Sequence, residues 1–205
     1  RTRDGRVIKQ GTEVMPGGPD TYHGYGLSWA NASNTPFREY KHWVHEGGIS
    51  SPLIAHWPEG IDASRHGKLE SQPGHLIDLM ATCVDLGKVT YPKKVGDREI
   101  VPMQGVSLAP AFNGKDLGRN TPIFWEHEGN RAIREGKWKL VAKGSKGAWE
   151  LYDLEADRTE LNDLAAKDPD RAKAMADRWE AWAIEAKAKP WPWGGKKKKK
   201  PTPKK

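Results

Sequence analysis

One short stretch holds an unusual density of charged residues and comes just before an apolar run. Residues 34–49 contain a lysine, an arginine, two histidines, two glutamates and the pair Gly47-Gly48. Residues 52–57 follow with the apolar sequence Pro-Leu-Ile-Ala-His-Trp. A charged, glycine-containing loop beside a rigid strand is typical of sites that bind small anions. The stretch therefore predicts an anion-binding loop supported by a sheet.

The middle of the chain has the pattern of an α/β protein. Residues 52–57 predict a buried strand of a parallel sheet, because the apolar run is bounded by proline on both sides. Residues 75–86 predict an amphipathic helix that follows a Pro-Gly pair and ends at Gly87. Since strand-then-helix order is the unit of a doubly wound fold, we expect residues 35–115 to be the end of such an α/β core.

The pattern changes after residue 120 to short apolar segments separated by glycine turns. This texture predicts an antiparallel meander. The expected strands are residues 123–126, 131–134, 137–141 and 149–152. Asp168-Pro169 then supplies a cap and a first-turn proline for a helix that runs to about Ala188. We expect residues 116–190 to form a small antiparallel sheet packed by this C-terminal helix.

Both ends of the chain have the composition of loops. Residues 1–34 are rich in glycine, proline, asparagine and serine and predict a long surface loop. Residues 191–205 predict a disordered tail. The net charge is +7, and seven lysines of this tail account for all of it. Because the remainder is neutral, the sequence gives no reason to expect a specific nucleic-acid partner.

Cysteine content and hydropathy exclude two further classes. The single cysteine, Cys83, excludes an internal disulfide framework. It lies within the predicted helix, where we expect a buried and inert thiol. No apolar run approaches the roughly 20 residues that cross a bilayer, so no transmembrane segment is expected.

Several motifs together resemble the sulfatases, the arylsulfatase family of the alkaline-phosphatase-like superfamily. Lys41 stands five residues before Glu46-Gly47-Gly48, as in the second-half signature of that family. The resemblance continues in Gly105-x-Ser107-Leu108, in residues 131–140 and in residues 150–164. It implies an alkaline-phosphatase-like α/β fold with a C-terminal subdomain. It also implies that the chain is the C-terminal portion of a longer sulfuric ester hydrolase.

The resemblance assigns roles to individual residues. It implies that Lys41 donates to an oxygen of the sulfate ester, where a fixed ammonium stabilises developing negative charge. Glu46 is expected to brace the turn. His45 is either a substrate-binding pocket residue or a structural histidine, and His127 is either a pocket residue or an ion-paired turn histidine. The spacing of His42, His45 and Glu46 does not match a zinc helix, and no metal ligand is expected in this chain.

The same resemblance implies cofactors that these residues do not supply. Sulfatases use a formylglycine nucleophile made from a Cys/Ser-x-Pro-x-Arg motif, together with a calcium ion. Cys83 is followed by Val-Asp-Leu-Gly and does not match that motif. We therefore expect both the nucleophile and the calcium site in an N-terminal half, and we expect the fragment alone to be inactive.

The sequence leaves alternative functions open. The nearest is a phosphodiesterase or phosphonate hydrolase of the same superfamily, because sulfate and phosphate esters differ mainly in charge. A non-catalytic glycan-binding module is another, suggested by the ten tryptophans and the lysine tail. The expected substrate is a sulfated small molecule or a sulfated glycan, and the resemblance implies a periplasmic or secreted protein.

Overall fold

The computed structural model divides the chain into two units. It describes residues 1–15, 17–22, 24 and 26–188, so the predicted lysine-rich tail lies outside the described residues. One unit comprises Arg1–Ser51 together with the chain from Phe124 onward, and the other comprises Pro52–Ile123. Residues 34–49, the predicted anion-binding loop, therefore belong to the same unit as the C-terminal sheet. Within the described residues, no helix has both the length and the apolar character needed to span a membrane.

A four-stranded sheet organises the first unit. Its strands are β3 (Ile123–His127), β4 (Asn130–Glu135), β5 (Trp138–Ala142) and β6 (Glu150–Asp153). They lie in the order β3-β4-β5-β6, and β5 is antiparallel to both of its neighbours. The meander predicted from the sequence is confirmed.

The C-terminal helix α4 (Pro169–Glu185) covers one face of this sheet. Asp168 caps it by accepting a hydrogen bond from the backbone N–H of Arg171 at 3.1 Å. The core on this face consists of Ile133, Leu140, Leu151, Ala172, Met175, Trp179 and Ala183. Because each large apolar side chain contributes about 1.5–3 kcal/mol on burial, this layer is the main stabilising core of the unit. The predicted helix and its apolar stripe are confirmed.

The opposite face of the sheet is covered by the loop that carries the charged motif. This loop ends in a one-turn helix, α2 (Glu46–Ile49). Val44 from the loop packs against the strand side chains that point away from α4. The buried residues of this layer are Val44, Ala132, Val141, Tyr152 and Leu154. Since side chains alternate across a strand, one sheet contributes to both layers. The motif is thus held directly against β5 and β6.

The second unit differs from the prediction at its start. Residues 52–57 form no strand, and Leu53 and Ile54 are 63% and 89% exposed. The predicted buried strand is wrong, because an apolar run forms a strand only when another strand pairs with it. The strands described in this unit are the two-residue pair β1 (Lys94–Val95) and β2 (Arg98–Glu99), which are antiparallel.

Helix α3 (Leu76–Leu86) confirms the predicted helix of this unit. A capping box starts it: the Asp78 carboxylate accepts a hydrogen bond from the backbone N–H of His75 at 2.7 Å. Asp78 also forms an ion pair with Arg119 and is fully buried. The helix buries this polar side, whereas Cys83 is exposed. The expectation of a buried thiol is wrong, since the apolar side of the helix faces outward.

The N-terminal region also contains an element that the sequence did not predict. Helix α1 (Gly26–Ser33) interrupts the expected loop, and none of its residues is buried. Its last turn is held by side chains that bond back to the helix, as Asn34 Nδ2 donates to the carbonyl of Ala30 at 2.9 Å. The segment combines good helix formers such as Leu27 and Ala30 with weak periodicity, and for this reason the pattern did not reveal it.

Candidate functional site

A buried ionic centre fixes the Glu-Gly-Gly turn to the sheet. Lys139, in β5, lies with its Nζ 2.9 Å from Glu46 Oε1 and 2.8 Å from Glu160 Oε1. The other carboxylate oxygen of Glu160 accepts a hydrogen bond from the backbone N–H of Glu46 at 2.8 Å. Burial alone would raise the pKa of the Glu46 carboxyl, but the Lys139 ammonium outweighs it and lowers that pKa. The prediction that Glu46 braces the turn is confirmed.

The two glycines allow the backbone to pass close to the preceding loop. A Cβ added to Gly48 would lie 2.0 Å from the carbonyl oxygen of Trp43, and one added to Gly47 would lie 2.3 Å from that of Arg38. No side chain fits at these distances. The glycine pair is therefore required for close backbone approach.

His45 is buried beneath the same loop. Its Nε2 lies 3.3 Å from Glu150 Oε2, and Glu150 also accepts a hydrogen bond from the Tyr152 hydroxyl at 2.6 Å. Burial raises the pKa of Glu150, but the hydrogen bonds from His45 and Tyr152 and the charge of Arg38 lower it to about 2. Arg38 forms an ion pair with the same Glu150 carboxylate. The surroundings of His45 support the structural alternative.

Lys41 lies in an exposed turn on top of this buried network. The turn adopts left-handed backbone angles at Glu39 (φ 68°) and at His42 (φ 101°). These angles exclude a helical turn over residues 38–45, so Lys41 and His45 do not share one face of a helix. Within the described residues, the Lys41 ammonium forms no ion pair or side-chain hydrogen bond. It is therefore available to an anion.

The turn between β3 and β4 meets the Lys41 turn through two side chains. Glu128 Oε2 lies 2.9 Å from His42 Nδ1. The ring centroids of His42 and His127 are 5.4 Å apart in an edge-to-face arrangement. His42, which follows Lys41 directly, thus brings the predicted residues Lys41 and His127 to the same end of the sheet.

A buried asparagine connects the two turns. Asn130 is 1% exposed, and its Nδ2 donates to the carbonyl of His42 at 2.9 Å and to that of His127 at 3.0 Å. Its Oδ1 accepts a hydrogen bond from the backbone N–H of Gly144 at 2.8 Å. Because one side chain joins three segments, the positions of His42 and His127 are fixed relative to each other.

Comparison with known proteins identifies the family. Residues 39–182 match the family model described as N-sulphoglucosamine sulphohydrolase, C-terminal, and this region includes every residue of the site described above except Arg38. The chain belongs to the sulfatase family. It is 33% identical over 167 residues to an uncharacterised sulfatase of Schizosaccharomyces pombe, an alignment that covers 78% of this chain and 30% of that protein.

Other sulfatases and a solved structure agree with this assignment. An N-acetylgalactosamine-6-sulfatase of Canis lupus familiaris is 31% identical over 120 residues, which cover 58% of this chain and 21% of that protein. The crystal structure of Ps i-CgsB superimposes with a TM-score of 0.60 at 26% identity, over 73% of this chain and 32% of that one. A second structure of Ps i-CgsB, in complex with k-i-k-neocarrahexaose, gives a TM-score of 0.50 at 26% identity and covers 62% and 27%. The chain therefore spans about a third or less of these relatives, and its mixed α/β fold is that of the alkaline-phosphatase-like sulfatases.

The residues described here fit neither the calcium ion nor the formylglycine nucleophile that the resemblance to sulfatases implies. Among the described residues, His42, His127 and Glu128 form the one group of three or more potential metal-ligating side chains. Two imidazoles and one carboxylate do not suit calcium, which takes six to eight oxygen ligands. Cys83 lies on α3 outside any Cys/Ser-x-Pro-x-Arg motif. Neither calcium binding nor the nucleophile is assigned to these residues.

The sequence predicted some residues of this candidate site and missed others. Lys41 and His127 were predicted from motif and turn position. The contributions of His42 and of Asn130 were missed, because each depends on a contact between segments about 88 residues apart. The one sequence signal for His42 is its position directly after Lys41.

Proposed function

We propose that the complete protein hydrolyses sulfate esters and that Lys41 binds an oxygen of the sulfate group. The observation that carries this proposal is the Lys41 turn itself. Its ammonium is exposed and unpaired within the described residues, and the loop below it is anchored by the buried Lys139, Glu46 and Glu160. The anchored loop thus places a cation without a competing partner where it can meet an anion.

The chemistry requires such a cation. Cleavage of a sulfate ester increases negative charge on the leaving oxygen and on the sulfuryl oxygens. An ammonium within hydrogen-bonding distance stabilises that charge, and it does so best when no reorganisation is needed during the reaction. His127, exposed beside His42, is proposed to contact the remainder of the substrate. His45 supports the loop from below through Glu150.

The proposed substrate class is a sulfated glycan or a sulfated small molecule. Support comes from the names of the relatives, which include an N-acetylgalactosamine-6-sulfatase, and from the oligosaccharide complex of Ps i-CgsB. Formylglycine and calcium, which sulfatases use in general, are proposed to come from residues other than those described here. Export to the periplasm or the exterior is part of the same proposal.

The test is a Lys41→Ala substitution in the complete enzyme, assayed with an aryl sulfate such as 4-nitrophenyl sulfate. We expect kcat/KM to fall by about 100-fold or more, in the range found when one preorganised donor is removed. The unfolding temperature should stay the same because the side chain is exposed.

Lys68→Ala is the matched control, since Lys68 is an exposed lysine of the second unit. It should change neither kcat/KM nor the unfolding temperature. Turnover of the Lys41→Ala enzyme close to that of the wild type would refute the assigned role of Lys41. A wild-type enzyme that hydrolyses the matching phosphate ester and not the sulfate ester would refute the proposed reaction.

A further inference from the structure

The exposed group formed by His42, His127 and Glu128 has the composition of a transition-metal site. Each residue offers one ligand atom, and the three atoms all lie within 4.8 Å of one another. We propose that this group, the histidine cluster, binds a borderline divalent cation such as Zn²⁺. The inference shares His127 with the proposed substrate contact, but its test measures metal binding and needs no sulfatase assay.

The donor set selects the kind of ion. Two imidazoles and a carboxylate form a known zinc ligand set, in which a water molecule occupies the fourth position. Nitrogen ligands favour Zn²⁺, Ni²⁺ and Cu²⁺ over Mg²⁺ and Ca²⁺, which prefer oxygen. The cluster is therefore expected to discriminate strongly against the calcium ion that sulfatases use in general.

The distances require only side-chain movement. Ligand atoms of a tetrahedral zinc ion with bonds of about 2.0–2.1 Å are about 3.4 Å apart. His42 Nδ1 and Glu128 Oε2 are already 2.9 Å apart, and the side chains of these residues are 42% and 52% exposed. Exposed side chains change rotamer at small cost, so the three donors can converge on one ion.

The backbone beneath the cluster is already ordered. Asn130 holds the carbonyls of His42 and His127 with hydrogen bonds of 2.9 and 3.0 Å. The Glu126 carboxylate accepts a hydrogen bond from the backbone N–H of Gly129 at 2.8 Å and closes the turn that carries Glu128. Little backbone entropy is lost when the ion binds, which favours affinity at a site built from two separate turns.

The experiment measures zinc binding to the full chain without an affinity tag, by competition with a fluorescent zinc chelator. We expect about one equivalent to bind with a Kd in the micromolar range, and Ca²⁺ not to compete. His42→Ala and His127→Ala should each weaken binding by roughly tenfold or more, while Glu128→Gln should weaken it less. Circular dichroism should show an unchanged fold for all three variants.

His56→Ala is the matched control, because His56 is an exposed histidine outside the cluster. It should leave the affinity unchanged. A second readout locates the ion: on addition of Zn²⁺, the ring resonances of two of the seven histidines should shift, and in His42→Ala the remaining shift should need roughly tenfold more zinc or be lost. Wild-type affinity in His42→Ala or His127→Ala, or the absence of binding at micromolar zinc, would overturn the proposal.

Discussion

Lys139 in β5 and Glu46 in α2 form a buried ion pair, with Nζ 2.9 Å from Oε1, across a sequence separation of 93 residues. The pair joins the centre of the C-terminal sheet to the turn that follows Lys41. Glu160 completes it from a third segment, with Oε1 2.8 Å from the same ammonium. The exposed turn is thus supported by a charge arrangement that is itself inaccessible to solvent.

Removal of the central cation should destabilise the unit strongly. In Lys139→Met, Glu46 and Glu160 would remain buried without their partner, which typically costs about 3–5 kcal/mol. The free energy of unfolding, measured with urea, should fall by that amount. Lys137→Met is the control: its pair with Asp153 is partly exposed, so the loss should be below about 1 kcal/mol. Equal losses in the two variants would contradict the central role of Lys139.

The second glycine of the motif should not tolerate a side chain. In Gly48→Ala, the new Cβ would lie 2.0 Å from the Trp43 carbonyl oxygen, so the two segments of the loop must move apart. We expect a loss of more than about 3 kcal/mol in the free energy of unfolding. Gly74→Ala should change it by less than about 1 kcal/mol, because its nearest neighbour is Leu108 Cδ2 at 3.9 Å. A stable Gly48→Ala protein would show that the close approach is dispensable.

Local patterns predicted most of the fold, and the two wrong burial predictions have one physical cause. The meander and α4 were predictable because alternation, glycine turns and the Asp168 cap are signals within each segment. Residues 52–57 and Cys83 were misassigned because burial depends on what covers a segment. Ile54, for example, lies in an apolar run of the kind that is typical of a buried strand, yet it is 89% exposed.

The site was predictable only to the extent that its residues lie in motifs. Lys41 could be located from its spacing to Glu46, and His127 from its place in a turn. The contact of His42 with Glu128 joins residues 86 positions apart and leaves no signal in either segment. Lys139 was read as part of a strand, and nothing in its neighbourhood indicated that it is buried with two carboxylates.

Loss of the asparagine that connects the two turns should loosen the site. Asn130→Ala removes the two hydrogen bonds that the buried Nδ2 donates to the carbonyls of His42 and His127, at a typical cost of about 0.5–1.5 kcal/mol for each bond. Urea unfolding should show this loss, and hydrogen exchange should accelerate in both turns. Asn162→Ala is the control, because Asn162 is exposed. Unchanged hydrogen exchange at either turn in Asn130→Ala would show that Asn130 does not hold the two turns together.

The Glu150 carboxylate should make stability depend on pH in the acid range. Its pKa is lowered from 4.5 to about 2, so the folded state binds its proton less readily than the unfolded state does. The resulting stabilisation is present above about pH 5 and is lost as the pH falls towards 2. Allowing for partial exposure, we expect Glu150→Gln to cost about 2–3 kcal/mol at neutral pH.

That difference between the wild type and Glu150→Gln should shrink as the pH is lowered, because protonation of Glu150 makes the two proteins alike in charge. Urea unfolding at about pH 7 and at about pH 3 measures it. Glu155→Gln, at an exposed glutamate nearby, should match the wild type within about 0.5 kcal/mol at both values. A deficit in Glu150→Gln that is the same at both pH values would show that packing at Glu150, and not its charge, stabilises the loop around His45.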